Sequence, residues 1–338
     1  PEYNLPKVLW FREHLSEVYK KARFFVSCPE YICGRLTGTW TTFLPAQGFQ
    51  KIIWDDEALD ALHLDKEKFP PFARPGDFLG LVTAQAEDLF GLPQGVPVIA
   101  AGPDFVAALL GTATTVPGRA CDRSGTSEGI NLCTDKDVRQ DDRLLFMPHV
   151  ISPYRNISGV ISTSGEALNW FRRASEVDAG AGAALQSYEA LFAEAARAAA
   201  GADRLLFLPY LSGERAPIWN ADARGVFLGL TLRHGHAEMA RAVLESTAFA
   251  MRDVIGVMEN LGAQVTDLRA TGRSSRNPVW NQIKADITGK PVLAPRFSDA
   301  ELLGDLSIAL HAQGEASSLV EASERIAHTE QIFEPDLS

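Results

Sequence analysis

Two groups of residues in this sequence have the types and spacing that chemistry needs. The first is Asp104, in PVIAAGPDFVAALLG. The second, further along, is Ser124-Gly125-Thr126-Ser127-Glu128-Gly129. Small hydroxylated residues between glycines let backbone N–H groups come close to an anion, as phosphate cradles do. A carboxylate that orients or deprotonates an alcohol, joined to a turn that holds nucleotide phosphates, is what phosphoryl transfer requires. Each half also has a plainer reading. Asp is a common helix N-cap, and SGTS suits any tight hairpin. The inference rests on their conjunction.

The flanking sequence says what positions them. Val96, Val98 and Ile99 form a short apolar run of the kind buried strands use. Ala100, Ala101, Gly102 and Pro103 end it, and Phe105, Val106, Ala108 and Leu109 then recur at helical spacing. Asp104 is therefore expected where a strand gives way to a helix, where unsatisfied N–H groups and the helix dipole favour a carboxylate. Upstream, LPKVLWFREHLSEVYKKARFF reads as an amphipathic helix, and CPEYICGRLTG as a second one ended by Gly38. Residues 55–95 are acidic and broken by prolines. Downstream, FMPHVISPYRNISGVIS alternates as strands do, and SGEALNWFRRASE and the alanine-rich AGAGAALQSYEALFAEAARAAAGAD read as helices. HAEMARAVLESTAFAMRDVIGVMENLG is the strongest helix in the chain. DLRATG is a strand leading into the turn and helix of RSSRNPVWNQIKADITG, PVLAP is another strand, and ELLGDLSIALHAQG is a last core helix in which Gly304 permits close backbone packing. Strands alternating with helices argue an α/β architecture.

Composition narrows the function. With 338 residues the length suits about two domains. Apolar residues make up 46% and charged residues 22%, enough for a substantial core. A net charge of -11 argues against a nucleic-acid or anionic-membrane partner. No apolar run is long enough to span a bilayer, and the N-terminus carries no signal-peptide pattern. Cys28, Cys33, Cys121 and Cys133 form no CxxC pair, so free thiols in a reducing cytoplasm are expected. His149, His234 and His236 lack metal-ligand spacing, and no protein metal site is assigned.

Two further segments carry a resemblance. Lys7-Val8-Leu9-Trp10-Phe11-Arg12-Glu13-His14 is similar to the first signature of the FGGY carbohydrate kinases, the family of xylulokinase, gluconate kinase and glycerol kinase. Gly225-Val226-Phe227-Leu228-Gly229-Leu230, followed by Glu238-Met239 and Ala242-Val243-Leu244-Glu245, resembles the second, and FLPYLSGERAP resembles the segment that precedes it. The resemblance runs from Lys7 to about Pro335. It implies two actin-like, ribonuclease-H-like domains with an interdomain cleft, here residues 1–113 on the sugar side and 114–338 on the nucleotide side. It implies ATP-dependent phosphorylation of a sugar hydroxyl, on a ketopentose such as xylulose or a related sugar or sugar acid, with Mg²⁺. Asp104 then corresponds to the general base. Gly125, Thr126 and Ser127 match a phosphate-binding turn, and Gly272, Arg273, Asn277 and Gln282 fall in the adenosine motif. Family members are often dimers, and no stretch here demands it.

Three departures qualify these expectations. The family's opening Asp-x-Gly-Thr turn is absent, so the first domain is expected to be incomplete and the isolated chain inactive; the C-terminus is also expected to be clipped. Where relatives carry a run of glycines, this chain has Gly272-Arg273-Ser274-Ser275. Arg273 adds bulk at the nucleotide, or else pairs with phosphate as a bidentate donor. After Thr41-Thr42 the chain reads FLPAQGF where relatives often carry an acidic stretch, which bears on substrate choice. The first two departures leave an alternative open, a non-catalytic relative that binds sugar or nucleotide for regulation.

Overall fold

A computed structural model describes residues 4–175 and 187–336. Its centre is a seven-stranded mixed sheet. In spatial order the strands are Thr329–Phe333, Val292–Pro295, Asp267–Thr271, Arg119–Ser124, Glu128–Thr134, Arg155–Ile161 and Leu145–Pro148. The four strands from Arg119–Ser124 outward are antiparallel, so short connections suffice between them. Asp267–Thr271 lies parallel to both Arg119–Ser124 and Val292–Pro295. Parallel neighbours need crossovers, and the helices His236–Asn260 and Pro278–Thr288 lie on those connections.

The two faces of the sheet are covered differently. On one, Met251, Val254, Ile255 and Met258 of the long helix pack against Ile130, Leu132, Ile157, Ile161 and Leu268. The approach is close enough that a Cβ on Gly159 would come 2.4 Å from Val254 Cγ1. The other face takes Asp104–Gly111, whose Ala108 and Leu109 pack on Cys121. That helix in turn meets Ala300–Ala312 backbone to backbone. A Cβ on Gly111 would lie 1.8 Å from the Ala300 carbonyl oxygen, and one on Gly304 1.9 Å from that of Ala107. The close packing expected at Gly304 is present.

The N-terminal part is built from helices and two small two-stranded sheets, Thr42–Phe43 with Phe72–Ala73 and Phe78–Leu81 with Pro97–Ile99. The amphipathic stretch expected as one helix is two, Asn4–His14 and Ser16–Lys21, because Leu15 between them leaves helical geometry at φ -132. Helix Cys28–Thr37 ends at Gly38 as expected, with φ 78. Its start is closed by the Ser27 N–H donating to Glu30. Part of the alanine-rich helix expected around residues 179–203 lies outside the described residues; Tyr188–Ala195 is the helix seen there. No helix of the described residues is long and apolar enough to cross a membrane.

Candidate active site

Asp104 stands at the first position of its helix, after Pro103, as the sequence suggests. Its Oδ1 accepts the N–H of Phe105 at 2.6 Å. Its Oδ2 pairs with the Arg123 guanidinium at 3.1 Å, and 72% of the side chain remains exposed. The next residues, Val106 to Gly111, are buried. The helix is thus anchored by its apolar length while the carboxylate projects from its open end.

Arg123 reaches Asp104 because of the alternation of a strand. Along Arg119–Ser124, Cys121 faces the Asp104 helix, packing on Ala108 and Leu109. Two residues on, Arg123 lies on the same face and meets the start of that helix. Asp122 and Ser124 face the opposite side and are buried.

The strand ends in the turn that joins it to Glu128–Thr134. Gly125 and Thr126 are exposed at its tip. The turn's carbonyls are occupied: that of Gly125 accepts the N–H of Gly165 at 3.0 Å, and that of Thr126 accepts those of Ser164 and Glu166 at 3.1 and 3.2 Å. These donors belong to the start of helix Gly165–Ala174. The N–H groups of Thr126 and Ser127 make no hydrogen bond among the described residues. The turn therefore offers two free backbone donors at its tip while its carbonyls are engaged, which suits an anion.

Gly272 completes the cradle. It has φ 82, and a Cβ there would lie 2.2 Å from the Ser124 carbonyl oxygen. A side chain at this position would push the two loops apart. The structure thus brings Gly272 against the Ser124–Ser127 turn, from a loop held by the Gly272 N–H and the Thr271 hydroxyl on the Ser298 carbonyl at 3.0 and 2.8 Å. Asn277 caps helix Pro278–Thr288, its Oδ1 accepting the Trp280 N–H at 3.0 Å. The Gln282 amide donates to Asp286 at 2.7 Å and to the Glu334 carbonyl at 2.8 Å, tying the helix to the C-terminal segment rather than reaching the turn. The side chain of Arg273 lies outside what the structure describes.

Beneath the turn sits a buried ionic cluster. Lys284, on the inner face of its helix, donates to Asp122 at 2.6 Å, to Ser124 Oγ at 2.7 Å and to Glu128. The other oxygen of Glu128 accepts the Ser164 hydroxyl at 2.7 Å. The charged side chains are at most 1% exposed. Burial pushes the Asp122 carboxyl up to about 7, against the Lys284 ammonium and reinforced by Glu128. Burial alone would raise Glu128 as well, but Lys284 and the hydrogen bonds around it outweigh burial and hold it at about 2. The cluster ties four elements together beneath the turn: the two strands flanking it, the start of the Gly165 helix and the Lys284 helix.

Lys284, Asp122, Glu128 and Arg123 were not singled out from sequence. One signal for Lys284 exists. It falls on the stripe Trp280, Lys284, Thr288, whose helical spacing marks a buried face. Nothing in the sequence pairs Arg123 with Asp104, since that contact depends on how helix and strand cross.

The histidines are structural. His149 Nε2 donates to the Thr114 carbonyl at 2.9 Å, its Nδ1 accepts the Ile151 N–H at 3.0 Å, and burial lowers the ring to about 4. His236 pairs with Glu194 at 2.8 Å and stacks on Phe171. Among the described residues no group of three or more His, Cys, Asp or Glu is placed to hold a metal. The FLPAQGF segment lines a cavity of about 680 Å³ together with Arg74, Met147, His149, Tyr154 and Arg155.

Comparison with known proteins identifies the family. Residues 123–313 match the C-terminal domain, and residues 1–111 the N-terminal domain, of the FGGY family of carbohydrate kinases. The chain belongs to the FGGY family. This FGGY chain is 28% identical over 339 residues to a gluconokinase of Bacillus subtilis, covering 97% of the chain and 66% of that protein. It is 29% identical over 333 residues to a xylulose kinase of Lactococcus lactis, covering 96% of the chain and 65% of that protein. The chain spans just under two thirds of the length of these relatives. Its backbone superposes on a ligand-bound xylulose kinase from Lactobacillus acidophilus with a TM-score of 0.83 at 27% identity, covering 98% of the chain and 67% of that structure. A gluconate kinase from the same species gives 0.82 at 28% identity, with coverage of 98% and 67%. The fold is the two-domain, actin-like one of the FGGY kinases, and the seven-stranded sheet is its ribonuclease-H-like core.

Proposed function

We propose that this FGGY chain carries the nucleotide side and the general base of an ATP-dependent sugar kinase. The substrate is a ketopentose such as xylulose, or a sugar acid such as gluconate. The observation that carries the reading is the single ion pair linking Asp104 to the strand that runs into the phosphate turn. That pair supports a reading in which the exposed carboxylate and the unpaired N–H groups of Thr126 and Ser127 serve one site.

In this reading the N–H groups of Thr126 and Ser127 hold phosphate oxygens, and Gly272 lets the backbone come close to the nucleotide. Arg273, Asn277 and Gln282, on the same segment, are assigned to the nucleoside side. Asp104 accepts the proton of the sugar hydroxyl as its oxygen attacks the γ-phosphorus. Mg²⁺ carried by the nucleotide neutralises phosphate charge. Little covalent chemistry falls to the protein, whose contribution is alignment and electrostatics. The cavity beside FLPAQGF places that segment's departure from its relatives next to candidate polar contacts. Four cysteines without disulfides fit a reducing compartment, the cytoplasm.

The test is Asp104→Asn in the full-length protein, assayed for ADP release over a panel including xylulose and gluconate. Loss of a general base should lower kcat about 10²- to 10⁴-fold. Unchanged turnover would remove Asp104 from the mechanism. Sugar binding by calorimetry with no turnover on any sugar would favour the regulatory alternative.

A further inference from the structure

We infer that Arg123 contacts the transferring phosphoryl group and, in the absence of nucleotide, holds the Asp104 carboxylate in place. The inference rests on the kinase reading above and adds a residue to it. Arg123 immediately precedes Ser124, so its backbone leads directly into the phosphate turn. Its side chain is about one third exposed, and its pairing with Asp104 is its only ion pair or side-chain hydrogen bond among the described residues. It lies on the face of the strand opposite to the buried Lys284 cluster, so it takes no part in holding the turn.

The pair as it stands leaves Asp104 occupied. Oδ1 is taken by the Phe105 N–H and Oδ2 by Arg123. One contact on each oxygen orients the carboxylate and leaves its remaining lone pairs open, but the guanidinium stands in the approach to Oδ2. An incoming γ-phosphate offers the guanidinium a more strongly charged, fork-matched partner than one carboxylate oxygen. Moving Arg123 to the phosphate clears the approach of the sugar hydroxyl to Oδ2. The step then balances. The hydroxyl oxygen bonds to the γ-phosphorus, and the bond from that phosphorus to the β–γ bridging oxygen breaks. The electron pair leaves on ADP, the hydroxyl proton passes to Asp104, and Arg123 meets charge on the phosphoryl oxygens in transit.

The experiment compares ATP with ADP binding by calorimetry in the presence of Mg²⁺, for the full-length protein and for Arg123→Gln and Arg123→Lys. A guanidinium on the γ-phosphate predicts that R123Q weakens ATP binding roughly 10- to 100-fold and leaves ADP binding as it was. R123K should fall between, keeping the charge and losing the fork. With sugar present, kcat of R123Q should drop on the order of 10³-fold, the lower end of what a catalytic arginine contributes, while KM for the sugar stays constant. Equal losses for ATP and ADP would mean a merely structural arginine and overturn the inference. So would unchanged binding and turnover. Absence of any nucleotide binding by the unmodified protein would instead overturn the kinase reading, and the inference with it. Full turnover by Asp104→Asn beside ATP-selective loss in R123Q would strike out the base and leave Arg123 standing.

Discussion

Lys284→Met is the perturbation whose outcome the structure defines most sharply. Among the described residues the ammonium is the only positive charge in contact with Asp122 and Glu128, whose side chains are fully buried. Methionine fills similar space but leaves two carboxylates facing each other without a counter-charge. Removing one partner of a buried pair costs about 3–5 kcal/mol, a large share of a typical total of roughly 5–15 kcal/mol. The shifted carboxyls add a pH signature. Asp122 already sits at about 7 against an ordinary value of 3.8, so burial and Glu128 exceed the help it receives from Lys284. A carboxylate raised in the folded state stabilises below its unfolded pKa, and that contribution is lost as pH rises through about 7. Glu128, held at about 2, works the other way, and its contribution is lost as pH falls through that value. Without Lys284 both carboxyls are driven upward. The variant should therefore be most destabilised above about pH 7 and recover toward about pH 5 as the pair takes up protons. Urea unfolding at both pH values reads this, with a midpoint shift of more than about 1 M expected at about pH 8 for a slope of about 3 kcal/mol/M. The double variant Lys284→Met/Glu128→Gln should regain at least half the loss, because it removes one orphaned charge. A midpoint that does not move, or a loss that is the same under acidic and alkaline conditions, would refute this account of the cluster.

Two further outcomes follow from particular contacts. Gly272→Ala places a Cβ 2.2 Å from the Ser124 carbonyl oxygen at a φ of 82; it should weaken ADP binding at least about 10-fold, with a strain cost of roughly 1–3 kcal/mol, and leave sugar affinity unchanged by calorimetry. His149, lowered to about 4 by burial, is neutral in the fold, so its contribution is present above its ordinary value of 6.5 and lost as pH falls toward 4. That contribution is about 3 kcal/mol, and His149→Gln should flatten this part of the acid limb in a urea series between about pH 7 and about pH 4.

What the sequence disclosed divides along physical lines. Asp104 at a helix start, the SGTS turn, the strand-to-turn step at Gly272 and the tight packing at Gly304 were all legible, because each depends on local spacing or on the one residue type that fits. The alternation in FMPHVISPYRNISGVIS gave the strands Leu145–Pro148 and Arg155–Ile161 for the same reason. The break at Leu15 was not legible, since the apolar spacing runs through it. The partnerships were not legible either. Arg123 meets Asp104 across a helix–strand crossing, and Lys284 meets Asp122 and Glu128 from a helix more than a hundred residues away in the chain. Such contacts are set by packing, and no pattern within one segment encodes them. Gln282 shows the reverse case. It falls in a motif assigned to the nucleoside, yet the fold gives its amide to Asp286 and the Glu334 carbonyl.

The backbone contacts of Gly111 with Ala300 and of Gly304 with Ala107 bear on what Asp104 can move with. Helices locked at that distance have no side-chain layer to shear, so Asp104–Gly111 moves as one body with Ala300–Ala312 and the sheet beneath. Although Asp104 falls within the stretch matching the family's N-terminal domain, its helix packs on the seven-stranded sheet through Cys121. In the kinase reading proposed above, Asp104 and the turn from Gly125 to Ser127 then keep a fixed separation.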